Sequence, residues 1–480
     1  MDKISCATSG GSVGGRTSSR SAGGTELSWC RAVPGGTGIT VLALLLSRSF
    51  PFPHLRDSLR RIQFSYPILR ARLPSAAAAS SGVFSPPILV SSSPSDEIEL
   101  IPDDRLPAPA VIGDSSPVSL FHSILESEMN RNPWAETADG EALGSLFPTI
   151  YDLPEPDWSV LALRFHTGVC DRTTGVAILK ELMDLMGRAG ERDDEGEDGV
   201  GDLILPIEDL IRKDDSWKPF WARAKDLIGY SLNGLRSNGL PFEDAGSPRH
   251  SEVVRLVVDA EETQQLLGAC HTKGVKLCSA LTAAGFLAAY ASKKLNNNQA
   301  ETYSVITLVD CRKFLNPPLN DKHIGFYHSA ILNTHTVRGG DGFWELAARC
   351  HSAYSNAKNN NKHLKDIDEL NFLMCKAIEN PHLTPASSLR TALICVFEEM
   401  VNYDVPMEQL QEFGIEDYVG CSSVHGVGSS VAVFDTIRNG QIDCACVYPS
   451  PLHSRKQMME FVESMKRILL EGSHAVDLTS

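Results

Sequence analysis

Runs that suit buried strands and runs that suit amphipathic helices take turns along nearly the whole chain, and this alternation limits the fold more than any other feature. Residues 158–166 alternate and pass at once into Val176, Leu179, Leu182, Met183 and Met186, spaced for one apolar helix face. In the second half, a strand over 253–258 precedes helices over 261–272 and 277–295. Strands are expected at 303–309 and 326–332, two helices across 342–379, further strands at 391–397 and between 418 and 448, and a closing amphipathic helix at 455–470. Nearer the start, 26–33 reads as a strand, and Gly35, Gly36 and Gly38 then open an apolar helix ending near Leu46. A second helix follows Pro53, with Leu55, Leu59 and Ile62 at helical spacing until Pro67 breaks it. The pattern predicts an α/β protein with mixed sheets flanked by helices. No repeat of about 20–50 residues marks a solenoid or propeller.

At about 100–200 residues per domain, 480 residues allow two to four domains or two large halves of one fold. Residues 1–24 are rich in Ser and Gly, carry Arg16 and Arg20 with Asp2 as their one acid, and are expected to be a disordered tail. They lack the apolar centre of a secretory signal. A cytoplasmic protein is expected, with plastid targeting the alternative for such a composition. The two halves are placed at 25–205 and 250–480, joined by a connection over 206–249. In that connection Ser216 can cap a helix with an apolar stripe of Phe220, Trp221, Ala224, Leu227, Ile228 and Leu232. Residues 74–118, dense in Ser, Pro and Ala, suit loops and edge strands, and 191–202, with seven acids and one Arg, suits a solvated loop.

Asp and Glu outnumber Lys and Arg by 60 to 44, a net charge of −16, and no Lys/Arg-rich run offsets it. Such a field repels polyphosphates, so nucleic acid and anionic membrane are excluded as expected partners. The apolar stretch 39–46 is far shorter than the roughly 20 residues of a bilayer span. The 12 cysteines include no C-x-x-C pair and are expected as reduced thiols, with Cys444 and Cys446 filling a core from one face of a strand. No H-E-x-x-H or similar ligand spacing suggests a metal, and no bound cofactor is expected.

Two nominal motifs fall in the tail: 10–17 matches a phosphate loop with Arg16 for Lys, and 10–14 a nucleophile elbow. Both require a strand before and a helix after, which a Gly/Ser segment does not offer. The informative segment is Arg164-Phe165-His166-Thr167-Gly168-Val169-Cys170-Asp171, where a strand hands over to a helix. His166 could act there as a general base, although a strand-end histidine is more often simply hydrogen-bonded structure. Asp171, at the start of a helix, is also where the helix dipole favours an acid.

This segment resembles the H-H-x-x-x-D-G motif of the chloramphenicol acetyltransferase-like superfamily, which includes peptide-synthetase condensation domains, polyketide-associated acyltransferases and plant BAHD-type acyltransferases. In the resemblance Asp171 fits the Asp, His166 the first His, Thr167 the position of the catalytic His, and Arg172 the Gly. Tyr66-Pro67-Ile68-Leu69-Arg70-Ala71-Arg72 is similar to an early strand of the family. Val309-Asp310-Cys311-Arg312 and Gly325-Phe326-Tyr327 are similar to the segment that supplies an Arg partner for the Asp and a tunnel-lining strand. His425-Gly426-Val427-Gly428 does not reproduce the D-F-G-W-G of plant members.

The resemblance spans about residues 26–472 and implies two subdomains meeting at a channel, with Asp171 paired to Arg312. It implies transfer of an acyl group from acyl-CoA, as co-substrate, to a hydroxyl or amine acceptor by a protein that in plants is often monomeric. Thr167 cannot serve as the base. His166 would need a bulge to turn inward, since adjacent strand residues face opposite sides. His328 and His425 are the alternative bases, and Tyr327, His328 and His425 are expected along the channel. The competing expectation is a catalytically silent relative that binds a small ligand or a partner protein.

Overall fold

The computed structural model describes residues 19–48, 52–80, 87–90, 93–108, 118–135, 143–187, 203–293, 295–296, 299–402, 410 and 412–477. The motif matches at 10–17 and the acidic loop at 191–202 lie outside the described residues. The N-terminal half is built on a five-stranded mixed sheet in the order Ile415–Val424, Thr37–Leu46, Ser159–His166, Leu146–Asp152, Glu99–Ile101. The C-terminal half is built on a seven-stranded mixed sheet. Its order is His328–Arg338, Ala300–Asp310, Arg390–Phe397, Gly428–Arg438, Gln441–Ser450, His250–Val258, with Val401–Asn402 paired to Gly428–Arg438. A small four-stranded sheet contains Ser19–Ser21, Pro87–Val90, Ala71–Leu73 and Leu143–Gly144.

Two assignments near the start are exchanged. Residues Thr37–Leu46 form a strand rather than a helix, central in its sheet, and its two faces are buried in different cores. Leu42, Leu44 and Leu46 pack with Leu55 and Leu59 of helix Phe52–Ser65 and Leu179 and Met183 of helix Arg172–Gly187. Ile39, Val41 and Ala43 face the other way, among Ile124, Val160, Val253 and Val447. A strand covered on both faces reads as an unbroken apolar run, which periodicity cannot tell from a buried helix. Conversely, Gly24–Ala32 is a helix, because Glu26 reaches back to accept the Gly23 N–H at 2.8 Å and closes its first turn. The last part of the expected tail is structured: Ser19–Ser21 pairs with Pro87–Val90 and Ala22 is buried.

The second half follows the expected order, with helices Ala260–Thr272, Leu277–Ser292 and Arg455–Asp477 packed on the large sheet. Cys444 and Cys446 lie in that core. The strand expected at 326–332 starts two residues later, at His328. One strand crosses the sequence boundary between the halves: Ile415–Val424 completes the N-terminal sheet by pairing antiparallel with Thr37–Leu46. The apolar stripe of helix Phe220–Arg236 is not buried, with Phe220 86% and Trp221 70% exposed. No single described helix is long and apolar enough to cross a membrane. The one pair that passes together, Ala260–Thr272 with Leu277–Ser292, is bent by 101° and contributes to the C-terminal core.

Candidate active site

Strand Ser159–His166 ends between the halves and turns through the short helix Thr167–Val169 into helix Arg172–Gly187. The turn is fixed by Asp171, which caps the following helix by accepting the Thr174 N–H at 2.8 Å. The same carboxylate takes both ends of the Arg312 guanidinium, at 2.9 and 3.0 Å, and the Tyr327 N–H at 2.8 Å. The pairing of Asp171 with Arg312 expected across the interface is therefore present, as a bidentate ion pair with both side chains buried. Burial alone would raise the Asp171 pKa, but Arg312 and His328 outweigh it and hold the carboxyl well below its usual range.

His328 completes this cluster. Its Nδ1 lies 3.0 Å from Asp171 Oδ2, and its ring packs edge-on against Phe397 with centroids 6.0 Å apart. An Nδ1–H donated to the carboxylate leaves Nε2 as the nitrogen able to accept a proton. His328 lines a cavity of about 670 Å³ between the two halves. The walls also include Thr167, Thr40, Phe326, Phe397 and Ser422. Thr167 Oγ1 lies 2.6 Å from Thr40 Oγ1, which lies 2.7 Å from Ser422 Oγ, so three hydroxyls from three strands or turns meet at the channel wall. Sequence reasoning found Thr167 but not Thr40 or Ser422, because only the pairing of Thr40 with Ser422 across the sheet brings them together.

The other expected site residues are placed elsewhere. His166 turns away from the channel, as strand alternation requires, and no bulge brings it inward. Its Nδ1 accepts the Gly168 N–H at 3.0 Å and its ring meets Trp134 edge-on at 5.2 Å. His425 also stands outside the channel lining, with Nδ1 3.0 Å from Ser251 Oγ, and burial pushes its pKa down to about 4. Tyr327 is buried behind the site, its hydroxyl donating to the Leu205 carbonyl at 3.2 Å and its ring 5.0 Å from the Arg312 guanidinium. Of the expected bases, then, His328 alone borders the cavity.

Arg172, which stands where the resemblance has Gly, reaches into the channel. It donates to Asp435 Oδ1 at 2.9 Å and lies over the Phe397 ring at 4.3 Å. This ion pair joins residues 263 positions apart and leaves no local signal in the sequence. Among the described residues, no three His, Cys, Asp or Glu side chains gather as metal ligands.

The position of His166 has a measurable consequence. Burial lowers its pKa from an ordinary 6.5 to about 3, so below pH 6.5 the unfolded chain takes up a proton that the folded chain refuses. The stability linked to the neutral ring is complete above pH 6.5 and is lost as the pH falls toward 3. The variant His166→Asn, whose amide oxygen can still accept the Gly168 N–H, is expected to lose about 2–3 kcal/mol less than the wild type between pH 7 and 4.5. Urea unfolding at the two pH values measures this. Equal acid losses in the two proteins would show that the ring is not held neutral by burial.

Comparison with known proteins places this geometry in context. The family described as phthiocerol/phthiodiolone dimycocerosyl transferase C-terminus matches residues 247–356. No match was found among curated protein sequences. Among solved structures, TRI3 trichothecene 15-O-acetyltransferase from Fusarium sporotrichioides is similar at a TM-score of 0.72 and 14% identity, over 95% of each chain. Polyketide synthase associated protein 5 from Mycobacterium tuberculosis is similar at a TM-score of 0.62 and 14% identity, over 95% of this chain and 98% of that one. The EpoB cyclization-docking bidomain from Sorangium cellulosum is similar at 0.62 and 12%, over 95% and 85%. Over nearly its whole length, the chain has the two-subdomain α/β fold of these structures.

Proposed function

We propose that the protein is an acyltransferase that moves an acyl group from a thioester, with acyl-CoA as the donor, to a hydroxyl or amine acceptor in the channel between its halves. The observation that carries this reading is the dyad of His328 and Asp171 bordering the channel that Thr167 also lines. His328 Nε2 accepts the proton of the acceptor hydroxyl or amine as its oxygen or nitrogen attacks the thioester carbonyl. The new C–O or C–N bond forms, the carbonyl electron pair returns as the C–S bond breaks, and the imidazolium gives its proton to the departing thiolate. Asp171 keeps the proton of the free base on Nδ1 and stabilises the imidazolium between the two steps. Thr167 Oγ1, held in its hydroxyl chain, is a donor for the negative oxygen of the tetrahedral intermediate.

The names of the similar proteins support the class of reaction: an acetyltransferase, and a family of dimycocerosyl transferases. A silent, ligand-binding relative is the second reading, and Thr167 in place of a base is the feature that favours it. Purified protein incubated with a panel of acyl-CoA donors and pooled acceptors separates the two. Acceptor-dependent release of free thiol above the hydrolytic background is the expected result. Release that no acceptor accelerates would leave the silent reading.

A further inference from the structure

Arg390 opens the strand Arg390–Phe397 and lines the channel, yet it is only 5% exposed. Its guanidinium is bonded to carbonyl oxygens: Nε to Ser388 at 3.2 Å, and Nη1 to Val424 at 3.0 Å and to Ser429. Among the described residues Nη2 has no partner. The charged group that acts on it is a second cation, Arg249, which donates to the same Ser388 carbonyl at 2.6 Å. Two other buried arginines have carboxylates: Arg312 has Asp171 and Arg164 has Glu128.

A buried charge without a counter-ion is costly, because carbonyl dipoles replace only part of the lost hydration. The cost shows in Arg390, whose pKa burial pulls down to about 9, with Arg249 adding to the effect. A protein of net charge −16 has no shortage of acids to place there. An anion arriving through the channel would supply the missing partner.

We propose that Arg390 binds a carboxylate carried by the acceptor substrate. The inference rests on the reading of the channel as a substrate site. Two features fit a carboxylate. The free hydrogens are those of one nitrogen, which suits a single negative charge better than a phosphate dianion. The position also suits it: the Val424 carbonyl that holds Arg390 lies on the strand that carries Ser422, whose hydroxyl belongs to the cluster with Thr40 and Thr167, and Arg390 borders the same channel as that cluster. The strand then runs from Arg390 to Phe397, against which His328 packs, about 23 Å along its axis. The acceptor is accordingly an elongated acid whose carboxylate sits near Arg390 and whose nucleophile is at a distance from it.

The test is binding in the absence of any acyl donor. Calorimetry on the full chain compares phenylalkanoates of two to eight chain carbons with the matching carboxamides. In the wild type the best-bound acid is expected to exceed its amide by about 10- to 100-fold, the span of a charge-assisted hydrogen bond. Arg390→Gln is expected to bring the two together, while Arg390→Lys keeps part of the preference and reports that the site is still formed. His328→Gln, which removes the proposed base, is expected to keep the full preference, so a failure of turnover and a failure of carboxylate binding are told apart. Equal binding of every acid and its amide by the wild type would overturn the proposal, whether or not the variants fold. So would an unchanged acid preference in Arg390→Gln.

Discussion

Replacing His328 with Gln is expected to lower acyl transfer by about 10²- to 10⁴-fold, the usual loss when a general base is removed, with the fold intact. The side-chain amide can still donate to Asp171 Oδ2, now 3.0 Å from His328 Nδ1, so the carboxylate keeps a partner on that side. It cannot accept a proton at neutral pH. The loss should therefore fall on the rate at saturating substrate, with little change in substrate binding. Melting followed by circular dichroism serves as the control, because Asp171 keeps its bonds to Arg312, Tyr327 and Thr174 in the variant. A His328→Gln protein with the wild-type rate would remove the dyad from the chemistry, and with it the observation on which the proposed activity rests.

The second large effect is on stability. Asp171→Ala leaves the Arg312 guanidinium, 3% exposed, without its bidentate partner, although Asp310 Oδ1 at 3.1 Å remains. Breaking a buried ion pair on one side typically costs about 3–5 kcal/mol, and the retained contact with Asp310, itself 31% exposed, keeps the expected value toward the lower end. The loss also frees the Tyr327 N–H and uncaps helix Arg172–Gly187, which binds the two penalties to one carboxylate. The double variant Asp171→Ala with Arg312→Met is expected to recover much of the loss, because no unpaired charge remains buried. Urea denaturation of the two single variants and the double variant closes the cycle. Strict additivity would mean that the two side chains do not stabilise each other. Activity is expected to be low in the two variants that lack Asp171, since His328 loses the group that orients its ring.

Parts of the molecule could be read directly along the chain. The strand at 159–166 and the helix after it follow from local alternation and helical spacing, as do the helices at 260–272, 277–292 and 455–477. The pair of Asp171 and Arg312 was accessible through resemblance, 141 residues apart. The apolar run at 37–46 was not, because its conformation depends on which elements cover its two faces and on strand Ile415–Val424, which pairs along its edge. Local sequence carries no record of that pairing.

The functional side chains divide in the same way. Sequence alone determined that residue 167 has a hydroxyl where the resemblance has a base, and that a proton acceptor would have to be a different residue. Alternation further implied that His166 and Thr167 face opposite ways, and they do. Only the tertiary structure showed which of the candidate imidazoles borders the channel. His328 reaches the channel because the strand His328–Arg338 begins beside Asp171, whereas His425 is drawn to Ser251. It also joined Thr40, Thr167 and Ser422, and left Arg390 without a carboxylate among the described residues. The physical reason is range: hydrogen-bond and dihedral preferences act over a few residues and are written locally. Ion pairs and channel walls are set by packing between residues far apart in the chain.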